Sequence, residues 1–204
     1  MSGTEEEHYF TADPSVAFTR QPVRASVWGH ELSLVSGSGV FARGRVDIGT
    51  SVLFREAEPG DVAGPLLDLG CGYGVIATAL AVVRPAAEVW AVDVNERALL
   101  LARENADAAG AGSRVHAVLP QDVPPDVSFA EIWSNPPIRV GKQALHDLLL
   151  TWLPRLAPDG RAVLVVGRNL GADSLHRWLE EQGFPTERLG SAKGFRVLEV
   201  RPPG

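Results

Sequence analysis

The sequence predicts a doubly wound α/β fold: a mostly parallel, seven-stranded sheet that ends in an antiparallel hairpin and carries a small N-terminal cap. Three observations lead there. From residue 65 onward, short apolar strand-like runs alternate with helix-like runs, and strands separated by helices pair in parallel through right-handed crossovers. The first of these strands empties into a glycine-rich turn, Asp68-Leu69-Gly70-Cys71-Gly72-Tyr73-Gly74, as a ligand-binding edge of such a sheet requires. The last two strand-like runs are separated only by residues 190–194, too few for a crossover, so they close as a hairpin.

The elements follow in order. Residues 24–28 and 32–36 read as a small hairpin around Gly29, followed by the loop Ser36-Gly37-Ser38-Gly39 and a helix that begins near Asp47 and includes Val52, Leu53 and Phe54. Their apolar content is too small for a separate core. Residues 1–60 are therefore expected as a cap over the ligand edge of a main domain at 61–204. In that domain 65–69 is the strand that feeds the glycine turn, and 75–83 (VIATALAVV) is a buried helix ended near Arg84-Pro85. Residues 88–94 form the second strand. Asn95 caps a helix that runs to about Gly110 and turns Leu99, Ala102 and Ala106 to one face. Residues 114–119 and 129–134 are strands three and four. A helix at 143–153 directs Leu145, Leu148, Leu149 and Trp152 inward and stops at Pro154. The turn Pro158-Asp159-Gly160 leads into an apolar strand at 161–166, then come a helix at 173–182 and strands at 186–189 and 195–200. The tryptophans Trp28, Trp90, Trp133, Trp152 and Trp178 fall at packing positions and read as core filling.

Composition narrows the function. Hydrophobic content of 45% with 22% charged residues is that of a globular domain. No apolar run is long enough to span a bilayer, and the acidic start Glu5-Glu6-Glu7 resembles neither signal peptide nor anchor. The single cysteine, Cys71, cannot form an internal disulfide, which fits a cytoplasmic protein. Five histidines show no metal-ligand spacing, and no serine sits in a nucleophile elbow, so metal and acyl-enzyme chemistry are not expected. A net charge of −6 means that a nucleic-acid partner would need local positive potential. Arg20, Arg24, Arg43 and Arg45 supply it early in the chain, and Arg188, Lys193, Arg196 and Arg201 late. Arg139 and Lys142 add charge near the middle.

The glycine turn and a second motif carry the chemistry. In an open α/β sheet, ligands bind beyond the carboxyl ends of the strands where strand order reverses, and strand one normally lies there. Gly70, Gly72 and Gly74 let the backbone turn sharply and approach a ligand closely. Asp68 and Cys71 lie within the turn, the latter read as a small buried side chain, and Tyr73 leads into a helix whose amide end can receive a carboxylate. Asp93, followed by Val94, ends the second strand about 20 residues on, where a carboxylate accepts from ribose hydroxyls. Asp122, just after the third strand, is placed for an adenine amino group.

The second motif is Ser134-Asn135-Pro136-Pro137-Ile138 at the end of an apolar strand. An exocyclic amine or an amide nitrogen is a poor nucleophile because its lone pair is delocalised. Two acceptors, the Asn135 side-chain oxygen and the Pro136 carbonyl, can hold such a nitrogen closer to tetrahedral and aim its lone pair. Successive prolines fix φ and keep the preceding residues extended, so the carbonyl is held rigidly. Catalysis of this kind is mainly orientation.

With these motifs in order, the chain resembles a class I S-adenosylmethionine-dependent methyltransferase that modifies exocyclic amines. Within that class it is similar to the 16S ribosomal RNA guanine-N2 methyltransferase C family. The likeness covers His8-Tyr9-Phe10 with Pro14, then Gly39-Val40-Phe41-Ala42-Arg43-Gly44 with Asp47 and Gly49-Thr50. It continues through residues 67–74, 134–138, and Lys193-Gly194-Phe195-Arg196-Val197. The resemblance implies S-adenosylmethionine as cofactor, Phe41 and Asp47 as cofactor contacts, and methyl transfer to a base in RNA, with guanine N2 of small-subunit rRNA the leading target. Arg43, Arg45, Arg139, Lys142, Lys193 and Arg196 are then candidate RNA contacts on a monomeric enzyme.

Two departures bear on the target. Many relatives place an aromatic residue after the prolines to stack on the base, where this chain has Ile138. The longest relatives carry a duplicated N-terminal half not seen in this sequence, so recognition is expected from the cap and the cleft rim. A base would have to be flipped out to enter. A protein glutamine-N5 methyltransferase, which uses the same Asn-Pro-Pro device on an amide, and a non-catalytic cofactor-binding module remain as alternatives.

Overall fold

The computed structural model describes residues 18–42, 44–136 and 141–204. Arg43, Pro137, Ile138 and Arg139 lie outside the described residues, as do His8, Tyr9, Phe10 and Pro14.

The chain opens with an antiparallel pair, β1 (Arg20–Val27) and β2 (His30–Gly37). Trp28 and Gly29 alone join them, with φ of +48° and +82°, the two-residue turn whose twist matches paired strands. Alternation buries Val23, Ala25 and Val27 of one strand with Leu32 and Leu34 of the other. Helix α1 (Ile48–Glu56) follows, capped by Asp47.

Seven strands make the main sheet: β3 (Leu66–Leu69), β4 (Val89–Val92), β5 (Val115–Val118), β6 (Phe129–Ser134), β7 (Leu156–Gly167), β8 (Thr186–Ala192) and β9 (Phe195–Val200). Their spatial order is β5-β4-β3-β6-β7-β9-β8. The first five pair in parallel, while β9 runs antiparallel to both β7 and β8. Order reverses between β3 and β6, so their carboxyl ends flank the natural ligand crevice.

Helices α2 (Val75–Val83) and α3 (Glu96–Ala108) pack on one face of this sheet together with α1 and the hairpin, in a single apolar core. Helices α4 (Lys142–Trp152) and α5 (Ala172–Glu181) fill the other face, around Phe129, Ile132, Leu164 and Trp152. Trp28 shows how the first segment joins the rest. Its ring stands edge-on to Phe54 and Trp133, and its Nε1–H donates to the carbonyls of Phe54 and Ala57. The hairpin thus packs its buried apolar stripe on the α2–α3 layer, and Trp28 at its turn reaches Trp133 of β6. Among the described residues of this segment, the loop after β2 and the start of α1 reach the strand ends, where Phe41, Ala42, Asp47 and Thr50 line a cleft.

Several element boundaries differ from the sequence reading: the first hairpin, read at 24–28 and 32–36, is longer and occupies Arg20–Val27 and His30–Gly37. The closing hairpin is tighter: β8 continues through Ala192, and Lys193 and Gly194 alone turn the chain with φ of +49° and +81°. The turn at residues 158–160 lies inside β7, where the register jumps from Phe129↔Leu156 to Glu131↔Arg161. Gly160 is required in that irregularity, since a Cβ there would meet three carbonyl oxygens at 2.9 Å.

Candidate active site

The carboxyl ends of β3 and β6 are tied together by Ser134, whose hydroxyl donates to the Leu69 carbonyl at 2.6 Å. Directly after them lie the two sequence motifs. The glycine turn is a succession of left-handed residues, with φ of +73° at Gly70, +53° at Gly72 and +80° at Gly74. Gly74 ends the turn and starts α2, and a Cβ on it would lie 2.8–2.9 Å from Cβ and Cα of Ala102 in α3. Gly72 is different: a Cβ there would meet nothing within 4 Å. One glycine lets two helices approach, and the other keeps a space open.

That space is a cleft lined by Phe41, Ala42, Asp47, Thr50, Gly70, Cys71, Gly72, Tyr73, Val75, Ile76 and Asn135. The structure therefore brings the glycine turn, Asn135 and the segment that follows β2 to one place. Asp93 stands behind the turn. Its Oδ2 accepts from Gly72 N–H and its Oδ1 from Asn95 N–H, both at 2.9 Å. Burial raises its carboxyl above the usual range, against the opposing pull of the Asn95, Gly72 and Val94 N–H groups.

Asp68 is fully buried beneath the turn. Its Oδ2 accepts from the Ala77 N–H in the first turn of α2 at 2.9 Å, and its Oδ1 has no partner among the described residues. Burial pushes this carboxyl up to about 8, with the Ala77 N–H opposing and the nearby Asp93 charge adding to the rise. Burial first, then Asp93 and Asp68, lifts the Cys71 thiol well above its ordinary range, so it stays protonated and is no nucleophile. Tyr73 is buried too. Its phenol donates to the Arg45 carbonyl at 3.1 Å and is shifted upward, by burial and then by Asp47.

The outer candidates are dispersed. Val94 is exposed and Asp122 is exposed in the short 3₁₀ turn Pro120–Asp122; neither lines the cleft. Arg45 and Lys142 are exposed beside the strand ends, and Lys193 sits in the hairpin turn next to β7, where Arg168 N–H donates to the Gly194 carbonyl. Arg196 points to the α5 side, paired with Asp173.

Asn105 was not singled out from the sequence. Its side chain accepts from Val35 N–H at 2.7 Å and donates to the Val35 and Tyr73 carbonyls at 2.9 and 2.7 Å, clamping β2 to the glycine turn. An amide between Leu101, Ala102 and Ala106 on a buried helix face was the available signal. Among the described residues there is no cluster of three or more potential metal ligands, and no helix is long and apolar enough to cross a membrane.

This arrangement is that of a methyltransferase, and comparison with known proteins agrees. Residues 31–199 match the family model of the methyltransferase small domain. The chain is 32% identical over 197 residues to the uncharacterized protein YbxB of Bacillus subtilis, covering 96% of this chain and 98% of that one. It is 34% identical over 196 residues to ribosomal RNA small subunit methyltransferase C of Pseudomonas aeruginosa, covering 93% of this chain but 57% of that enzyme. Among solved structures, the 16S rRNA N2 G1207 methyltransferase of T. thermophilus, in complex with AdoMet and guanosine, superposes with a TM-score of 0.79 at 25% identity. That match covers 94% of this chain and 52% of the other. The chain thus spans about half the length of these rRNA methyltransferases and nearly all of YbxB. It belongs to the methyltransferase small domain family.

Proposed function

We propose that this protein transfers a methyl group from S-adenosylmethionine to an exocyclic amine of a base in RNA, guanine N2 of small-subunit rRNA being the target that its relatives suggest. The observation that carries this reading is the meeting of Asn135 and the glycine turn in one cleft at the carboxyl ends of β3 and β6. The residues fit the cofactor. Gly72 leaves room for a ligand against the backbone. The Asp93 carboxylate uses one lone pair on each oxygen for the loop and keeps further acceptor capacity for a ribose diol. Asp68 Oδ1, without a partner among the described residues, is an acceptor suited to the ammonium end of the ligand, through a bridging water or directly. When bound, the cofactor supplies an electrophilic sulfonium methyl.

The chain's own groups then act on the acceptor. Asn135 Oδ1 and the Pro136 carbonyl each take one N–H of the amine, which withdraws its lone pair from the ring and aims it into the cleft. Buried surroundings strengthen these contacts relative to water. No side chain forms a covalent bond. The proton on the methylated nitrogen is lost to solvent once the product becomes a cation.

The test is transfer from isotopically labelled S-adenosylmethionine into undermodified cell extract, fractionated into RNA and protein, with Asn135→Ala as control. Label in RNA that the variant loses is the expected result, and nuclease digestion then names the base. Label in protein would instead assign a glutamine amide as the acceptor.

A further inference from the structure

We propose that Asp47 and Thr50 are positioning residues that lock the Asn135 amide with its nitrogen turned toward α1, fixing Oδ1 as a hydrogen-bond acceptor and so restricting the acceptor substrate to an N–H donor. The inference rests on the methyl-transfer reading above and gives two residues of the cleft a role distinct from cofactor contact.

The geometry is specific. Asn135 Nδ2 donates to Asp47 Oδ2 at 2.8 Å and to Thr50 Oγ1 at 3.0 Å, using both of its hydrogens. No other described residue donates to or accepts from its amide. A carboxylate oxygen accepts only, so rotating the amide by half a turn would set Oδ1 against Asp47 Oδ2, oxygen against oxygen. The acceptor itself is held in place. Asp47 Oδ2 also takes the Gly49 and Thr50 N–H groups at 2.7 and 3.3 Å, as the N-cap of α1. Those two bonds complete the cap, so the third, to Asn135, is not needed for the helix.

Three distant stretches converge to build this lock. Gly49 has no room for a side chain: a Cβ would lie 2.9 Å from Asp47 Oδ2 and 3.0 Å from the Phe195 ring. Phe195 of β9 thereby seats the start of α1 beside the end of β6. Thr50 is buried, with 4% of its surface exposed, and its hydroxyl faces Asn135 instead of water.

The chemical consequence concerns polarity. A freely turning amide would offer NH₂ to the substrate part of the time and repel an amino group. Locked, it offers only Oδ1. A ring nitrogen or a carbonyl oxygen finds no donor there, whereas a primary amine finds an acceptor for one of its N–H groups.

The test uses the full chain and two conservative variants. Thr50→Val preserves shape and removes one acceptor; Asp47→Ser keeps a good N-cap but is too short to reach Asn135. The double variant should lower the single-turnover rate by about a hundredfold, the scale on which misplacing a reacting group acts. Cofactor Kd, by calorimetry, and KM for RNA should stay within about twofold of the parent, as for an interaction realised only in the transition state. Thr50→Ser should retain the parent rate.

The Asn135 side-chain NH₂ resonance gives an arm independent of turnover: slow hydrogen exchange in the parent, fast in the double variant. An unchanged rate, or a rise in cofactor Kd that matches the loss of rate, would overturn the lock. So would an unprotected NH₂ in the parent. If the NH₂ behaves as expected but the parent methylates no RNA, the lock stands and the RNA assignment fails.

Discussion

The backbone N–H of Gly72 donates to Asp93 Oδ2 at 2.9 Å, so the turn after β3 and the end of β4 form one hydrogen-bonded unit. The same carboxylate binds the Asn95 N–H, and Asn95 in turn caps α3 and donates to the Gly39 carbonyl at 2.8 Å. A single carboxylate thus fixes the floor of the cleft and links it to the loop that carries Phe41. Asp93→Ala should raise the Kd for S-adenosylmethionine about ten- to a hundredfold, the equivalent of the ~1.5–3 kcal/mol typical of hydrogen bonds to charged groups. Asn135→Ala should abolish turnover and leave that Kd within about threefold, its role being confined to the acceptor amine. Calorimetric titration checks both; an unchanged Kd in Asp93→Ala would place the ribose elsewhere.

Two of the three left-handed glycines of the turn should fail in different ways. Gly74→Ala adds a methyl against the Ala102 backbone at a φ of +80°. Overpacking and left-handed strain together cost about 2–4 kcal/mol. Gly72→Ala carries only the conformational cost, ~1–2 kcal/mol, because its Cβ meets no atom within 4 Å. Its methyl instead enters the cleft. Denaturant unfolding should therefore show the larger loss for Gly74→Ala, and cofactor titration the larger loss per unit of stability for Gly72→Ala.

This contrast marks what could be read from sequence. Spacing and glycine content announced the turn, and the alternation of apolar runs announced the sheet, because both are local properties of the chain. The Asn135 motif was legible for the same reason. Its orienting partners were not: Asp47 and Thr50 lie 88 and 85 positions away, and their segment read as a helix start and part of the cofactor side of the cleft, with nothing in it pointing to Asn135. Asp47, expected against the cofactor, lines the cleft and also holds Asn135 and the α1 amides. The pairing of Arg196 with Asp173 was hidden as well, because the two belong to different elements. Residues 158–160 read as a turn, since the bulge that absorbs them into β7 depends on the opposing strand.

Asp68 should make stability depend on pH in the direction opposite to a salt-bridged carboxylate. In the unfolded chain it titrates near ~3.9, whereas burial holds it up to about 8 in the native protein. Between those values the native state keeps a proton that the unfolded state gives up. Its contribution is complete below pH ~4 and is lost as pH rises through the native value. Asp68→Asn keeps an acceptor for Ala77 N–H and cannot ionise. The variant should unfold at a higher temperature than the parent at alkaline pH, with a flatter profile from acid to pH 8; parallel profiles would show that Asp68 ionises normally.

Glu131 is the second buried carboxylate, 1% exposed, and unlike Asp68 it is fully partnered. Its Oε1 accepts from Gly60 N–H at 2.7 Å and from Arg161 Nε at 2.9 Å, and its Oε2 accepts from Trp133 Nε1 at 2.8 Å. Arg161 also reaches Glu199 at 2.9 Å, so one guanidinium balances two carboxylates between β6, β7 and β9. Arg161→Met should destabilise the fold by about 3–5 kcal/mol, because it leaves Glu131 charged, buried and without its counter-ion. Glu131→Gln removes the charge while still offering an acceptor. The double variant Glu131→Gln/Arg161→Met should therefore be more stable than Arg161→Met alone, a coupling that a double-mutant cycle of urea midpoints measures directly. Additive losses would mean that the pair is solvent-screened and that Arg161 acts through packing on Trp133, over whose ring its guanidinium lies at 5.9 Å.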